Sequence, residues 1–207
     1  MSDLTRKERE KADHRRAILE AAEAVFAQKG YHAATVQEIA ERAEFSVGYL
    51  YSLFEHKMGL YVELVEMRAS EFMADVEERL RHEKDCLGKV RAAIAAKVDF
   101  FTRHQQFFLI FSPLRAEDGA EGPPLLPEAT HRRYREYIAG LSEVFEEGTR
   151  AGLFVHVDPQ VLVLCMEGLT NAAIAHWVAS GGEAGGMPAP EVLEQVFFQG
   201  ILADRGE

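Results

Sequence analysis

Thr35, Ser46, Val47, Gly48, Tyr49, Tyr51 and Lys57 fall within one short stretch of the chain. Their types suit non-covalent recognition rather than bond breaking. Hydroxyls and phenols donate to anionic oxygens, and a lysine adds a cation for them. Valine and aromatic rings give apolar contact, as to a thymine methyl, and a glycine lets backbone come close to a partner. Other chemistries find little support. The eight histidines, at 14, 32, 56, 82, 104, 131, 156 and 176, form no i, i+4 pair with one another, and only His82 stands within four residues of a cysteine, Cys86. A metal site is therefore weakly supported. Cys86 and Cys165 are too few for a disulfide framework or a zinc ribbon. No P-loop and no nucleophile elbow is present. The reading is no catalytic residue, no metal and no cofactor.

Those seven residues need elements to hold them. Thr35-x-x-Glu38 is a capping box that opens a helix of about two turns, ending near Ala43. A three-residue link, Glu44-Phe45-Ser46, leads to a second short helix over residues 47–54, with Ser46 as its N-cap. Ile39, Ala40, Phe45, Leu50 and Leu53 or Phe54 supply apolar anchors, and Ala40 is small where the helices must approach closely. Two short helices joined by such a turn match a helix-turn-helix, whose second helix enters the major groove of DNA. On spacing alone, a structural corner between helices is an equally good reading.

The rest of the chain predicts helix almost throughout. Ile18, Ala21, Ala22, Val25 and Phe26 make one apolar stripe, which Lys29 and Gly30 close. Long periodic runs follow: one from Lys57 into the polar residues 81–85, one through Leu87 to Phe101, a short aromatic one over 105–112, then 128–151, 159–179 and 190–203. Residues 116–127 and 181–190 read as loops. The fold class is all-α with about nine helices. Of 207 residues, 47% are hydrophobic and 28% charged, which suits a folded chain. No uncharged apolar run approaches the ~20 residues that span a bilayer. The charged N-terminus lacks a secretory h-region, so a cytoplasmic location without a membrane partner is expected.

The formal charge of −11 opposes a nucleic-acid partner when taken whole. Its distribution relieves the objection. Residues 1–58 hold nine Lys and Arg against ten acids, whereas 59–207 hold 14 against 24. Six of the nine cations (Arg6, Lys7, Arg9, Lys11, Arg15 and Arg16) form an N-terminal arm that could reach phosphates.

The stretch AILEAAEAVFAQKGYHAATVQEIAERAEFSVGYLYSLFEHKMGLYVEL resembles the DNA-binding domain of the TetR family of transcriptional regulators. The matching positions, in order, are Phe26, Gly30, Tyr31, Thr35, Ile39, Ala40, Ser46, Gly48, Leu50, Tyr51, Phe54 and Lys57. Glu44 departs from the pattern, standing where the turn usually has glycine. Val47, Leu53 and Glu55 depart from it too. The resemblance implies a three-helix DNA-binding head, residues 1–56, on a helical ligand-binding and dimerisation body, residues 57–207. By position, Thr35, Ser46, Tyr49, Tyr51 and Lys57 would contact DNA, with Val47 and Gly48 facing bases. A homodimer would bind a palindromic operator, mostly as a repressor, and a small molecule would release it.

Two helices need an apolar cover: 159–179 is apolar nearly all round, and 190–203 carries an apolar stripe. Their copies across a two-fold axis would cover both. An effector cavity is expected between Lys57 and Ala179. Its candidate lining is Phe101, Phe108, Phe111, Tyr137, Met166, Glu167, Asn171 and Trp177, which suits a mainly apolar or aromatic effector. Two alternatives stay open: a helical-bundle enzyme whose first helices are only a corner, and a regulator controlled by a protein partner.

Overall fold

The computed structural model describes residues 5–111, 128–183 and 186–201. Among them are nine helices and no strand: α1 Arg6–Ala33, α2 Val36–Arg42, α3 Val47–Leu53, α4 Lys57–His82, α5 Cys86–Arg103, α6 Gln105–Phe111, α7 Glu128–Arg150, α8 Pro159–Ala179 and α9 Pro190–Ile201. The all-α expectation holds. The expected loop over 116–127, the side chain of Phe111 and the end of the last helix at Ala203 lie outside the described residues.

The chain packs as two compact units. The described part of the first is 5–68 with 106–111, and of the second 69–105 with 128–183 and 186–201. The division falls inside α4, between Arg68 and Ala69. Residue 56, the end of the head that the resemblance implied, is the last residue of the turn before α4.

The first unit is set by its caps. Two capping boxes are made: the expected one, Thr35 with Glu38 on α2, and Thr5 with Glu8 on α1. Gly30 interrupts α1 with φ 78°, a conformation that glycine reaches without a Cβ penalty. One more turn follows before Ala34 donates its N–H to the Gly30 carbonyl at 3.2 Å. Ile18, Ala22 and Phe26 of α1 are buried in the unit's core, as are Ile39 and Ala40 of α2, Leu50 of α3, Phe54 and Leu60, Tyr61 and Leu64 of α4.

In the second unit, Asp85 caps α5 by accepting from Gly88 N at 2.7 Å. Asp158 caps α8 with Pro159 at its first position, which lacks a donor where none is needed. The core joins Val90 and Ile94 of α5, Leu141 and Phe145 of α7, Val163 and Met166 of α8, and Leu193 and Phe197 of α9. Gly148 of α7 meets the fully buried Phe154 so closely that a Cβ there would lie 2.2 Å from the ring. By length and composition, α8 could cross a membrane. It buries Leu162, Val163, Met166, Glu167, Thr170, Ile174 and Trp177, so one face belongs to the core. Its other face is exposed.

Candidate functional site

In the first unit, α2 and α3 meet through a turn whose backbone is held from both sides. Phe45 N donates to the Ala40 carbonyl at 3.0 Å, and Leu50 N to the Ser46 carbonyl at 3.1 Å. Ser46 Oγ accepts from Tyr49 N at 3.1 Å, and Thr35 Oγ1 accepts from Glu38 N at 3.2 Å. The Ser46 hydroxyl thus uses its oxygen and keeps its own proton, a donor suited to an anionic oxygen, whereas the Thr35 hydroxyl also bonds the Glu38 carboxylate. Buried Leu50 anchors the inner face of α3. On its outer face Ser46, Val47, Gly48, Tyr51 and Ser52 are exposed, Tyr51 by 52%. A Cβ built on Gly48 would meet nothing within 4 Å, so partner backbone has open access there.

Tyr49 lies only partly exposed among them. Its phenol oxygen sits 2.9 Å from Nδ1 of His14 on α1. Its ring centroid is 5.3 Å from that of Phe45.

Lys57, expected at a phosphate, has its ammonium engaged within the first unit. Its ammonium donates to the carbonyls of Tyr31 at 2.8 Å, His32 at 3.2 Å and Ala34 at 2.9 Å. It also lies 4.5 Å from the centroid of the Tyr31 ring. An ammonium has three protons, and all three are engaged at the end of α1. One residue of the basic arm is engaged within the unit as well. Arg15 pairs with Glu63, donates to the Leu53 carbonyl at 3.0 Å and stands 4.5 Å over the Phe54 ring. It clamps the end of α3 to α1 and α4. Arg6 pairs with Glu10 and Arg16 with Glu20. Lys7, Arg9 and Lys11 are exposed and take no ion pair among the described residues.

The second unit holds a cleft of about 540 Å³ between α4 and α7. Met73, Val76, Leu80 and Leu141 give it apolar walls, and Ser70, Glu77, Arg133 and Glu136 its polar lining. Tyr137, expected to line a cavity, lines this one. Its phenol donates to Glu167 Oε1 at 3.1 Å, and Lys97 Nζ donates to Glu167 Oε2 at 2.7 Å. All three are buried. Burial, then the Glu167 charge, pushes the Tyr137 phenol well above its ordinary range. Burial pulls Lys97 down, and Glu167 opposes that pull. Sequence reasoning missed Lys97, although it occupies the apolar stripe of α5 between Ile94 and Phe101.

The other expected lining residues are scattered. Phe101 joins a ring cluster through Phe72, whose centroid lies 6.2 Å from Phe101 and 5.6 Å from Tyr137. Met166 is core, and the Trp177 ring N–H is bound to the Glu183 carbonyl at 2.9 Å. Phe108 is buried but belongs to the first unit. The Phe111 side chain lies outside the described residues. Asn171 does not join Tyr137 and Glu167. It is exposed on the outer face of α8, because it sits one turn on from Gly168 and two from Leu164.

Comparison with known proteins agrees with this geometry. The family model for bacterial regulatory proteins of the tetR family matches residues 18–64. An uncharacterised helix-turn-helix transcriptional regulator of Bacillus subtilis, YhgD, is 27% identical over 165 residues, covering 80% of this chain and 84% of that one. The transcriptional activator FasR of Mycolicibacterium smegmatis is 39% identical over 101 residues, 48% of this chain and 46% of its own length. In fold, the chain is similar to the regulator FadR of Bacillus subtilis in complex with stearoyl-CoA, with a TM-score of 0.70, 18% identity, and 89% and 98% of the two chains covered. The matched domain is built around the exposed helix α3, and residues 18–64 are a domain of the tetR family of bacterial regulatory proteins.

Proposed function

We propose that this regulator is a repressor that grips a palindromic DNA operator as a homodimer and lets go when a mainly apolar small molecule binds its second unit. The carrying observation is the outer edge of α3: Ser46, Val47, Gly48 and Tyr51 stand exposed on a helix whose other face is anchored by Leu50. Val47 and Gly48 face bases. Thr35, Ser46 and Tyr51 donate to phosphates, and Tyr49 meets the groove from its half-buried seat. Lys57 serves by fixing α4 to the end of α1. Lys7, Arg9 and Lys11 of the arm add phosphate contacts.

The dimer forms through the outer faces of α8 and α9. Val161, Leu164, Val192 and Val196 are exposed there, Leu164 by 64%. A second copy is the natural cover for such a self-complementary stripe. Two copies of α3 about one DNA turn apart, roughly 34 Å, then read a palindrome.

The effector site is the cleft between α4 and α7. Its volume suits a small ligand. Its apolar walls favour a mainly apolar molecule, and the stearoyl-CoA bound by the similar FadR supports an acyl thioester. A ligand against Tyr137 bears on Glu167 and so on α8, whose outer face makes the dimer. The shift it causes equals its preference for one body state over the other.

A mobility-shift assay on DNA beside the protein's own gene tests the first half. Retention that weakens steeply with salt is expected. Failure of dimeric protein to retain any palindrome at low salt overturns the reading. For the effector, stearoyl-CoA should raise the melting temperature more than coenzyme A alone. Equal shifts, or none, remove the acyl-chain assignment.

A further inference from the structure

Tyr49 occupies the third position of α3, on the edge that the proposed operator reading presents to bases. Its phenol is nevertheless tied to a residue outside the helix-turn-helix. Nδ1 of His14 lies 2.9 Å from the phenol oxygen. The His14 ring also packs 4.9 Å from Phe45 and 5.7 Å, edge on, from Tyr49, while Phe45 and Tyr49 stack at 5.3 Å. Three rings from α1, the turn and α3 thus lock one side chain of the reading edge. A lone surface tyrosine would be free to swing. This one arrives at the groove with its ring direction set, which lowers the ordering cost of recognition.

The tautomer of His14 sets what the phenol can offer. With the imidazole proton on Nε2, Nδ1 accepts the phenol proton, and only oxygen lone pairs remain to face outward. A phenol in that state pairs with an amino-group donor, adenine N6 or cytosine N4, and not with a phosphate oxygen or guanine O6. Without a partner, the same phenol donates or accepts indifferently and loses the distinction.

We infer that His14 is a specificity-determining positioning residue: it holds the Tyr49 phenol as a fixed acceptor toward an exocyclic amino group in each half-site. This rests on the operator-binding reading, and it concerns a residue of α1 that touches no base itself.

The test is selection from a randomised double-stranded DNA pool, followed by binding to a panel of base substitutions in the enriched sequence. His14→Phe keeps a ring against Phe45 and removes the nitrogen. Tyr49→Phe removes the phenol oxygen. Each should erase a preference for adenine or cytosine at one symmetric position per half-site, by roughly tenfold, and leave the other positions intact. The double variant should do no more than either alone. His14→Asn, whose amide oxygen reaches about where Nδ1 stood, should restore much of the preference. A uniform loss across all positions would mean a merely structural role and would overturn the inference. So would a wild-type base profile in His14→Phe. Should His14→Phe fail to fold, an unchanged profile in Tyr49→Phe overturns it equally. Enrichment of no sequence by the wild type is a separate result, which removes the operator reading itself.

Discussion

Glu44 holds a φ of 60° in the turn between α2 and α3. That left-handed conformation costs a residue bearing a Cβ about 1–2 kcal/mol, whereas glycine adopts it freely at some entropic cost in the unfolded chain. Glu44→Gly should therefore stabilise the protein by about 0.5–1 kcal/mol, read as a higher urea midpoint. A lower midpoint would show that the glutamate side chain is wanted there. The three carbonyls around Lys57 make a second prediction. Lys57→Met should cost roughly 2 kcal/mol, since charge-assisted bonds to carbonyls are lost. Unaltered stability with weaker DNA retention would return Lys57 to the phosphate. Glu38 gives the third. Lys29 first, then the backbone and hydroxyl of Thr35, lower its carboxyl to about 2. Its folded value is depressed, so its contribution is present above the ordinary carboxylate range and fades as pH falls from about 4.5 to about 2. Glu38→Gln should flatten the acid limb of stability in that window, and an unchanged limb would count against the cap.

At the scale of elements, buried charge is what sequence periodicity left hidden. Glu23 and Arg68 are buried and pair at 2.6 Å, and Lys97 and Glu167 do so at 2.7 Å. Glu23 sits beside Ala22 on the stripe of α1, and Lys97 sits on that of α5. A stripe shows which face turns inward, but not which charge on another helix awaits it. For the second pair the expectation is asymmetric. Lys97→Met alone strands the Glu167 carboxylate and should cost about 3–5 kcal/mol. Lys97→Met combined with Glu167→Leu should recover most of that in a denaturant melt. If the double variant is as unstable as the single, the pair does more than satisfy itself. The helix ends, by contrast, were legible. Thr35 and Ser46, both read as caps from the sequence, accept from the backbone N–H three positions on, so spacing alone marks them.

For the whole molecule, the proposed dimer rests on the exposed apolar residues of α8 and α9. Glutamate in place of both Leu164 and Val196 should leave helix content intact while yielding monomers by light scattering, and retention of a palindrome should fall sharply. A dimer that survives those changes would move the interface elsewhere. Local order determined much of this protein. Capping residues and the apolar stripes announced about nine helices, and the spacing from Thr35 to Phe54 two short helices joined by a turn, because those features depend on neighbours a turn away. Tertiary structure decided which groups remained available. It drew Lys57 and Arg15 into clamps, buried Lys97 against Glu167, turned Asn171 outward and tied Tyr49 to His14. The reason is physical: a side chain's partners come from wherever helix packing brings another chain segment within about 3 Å, and no one-dimensional pattern contains that distance.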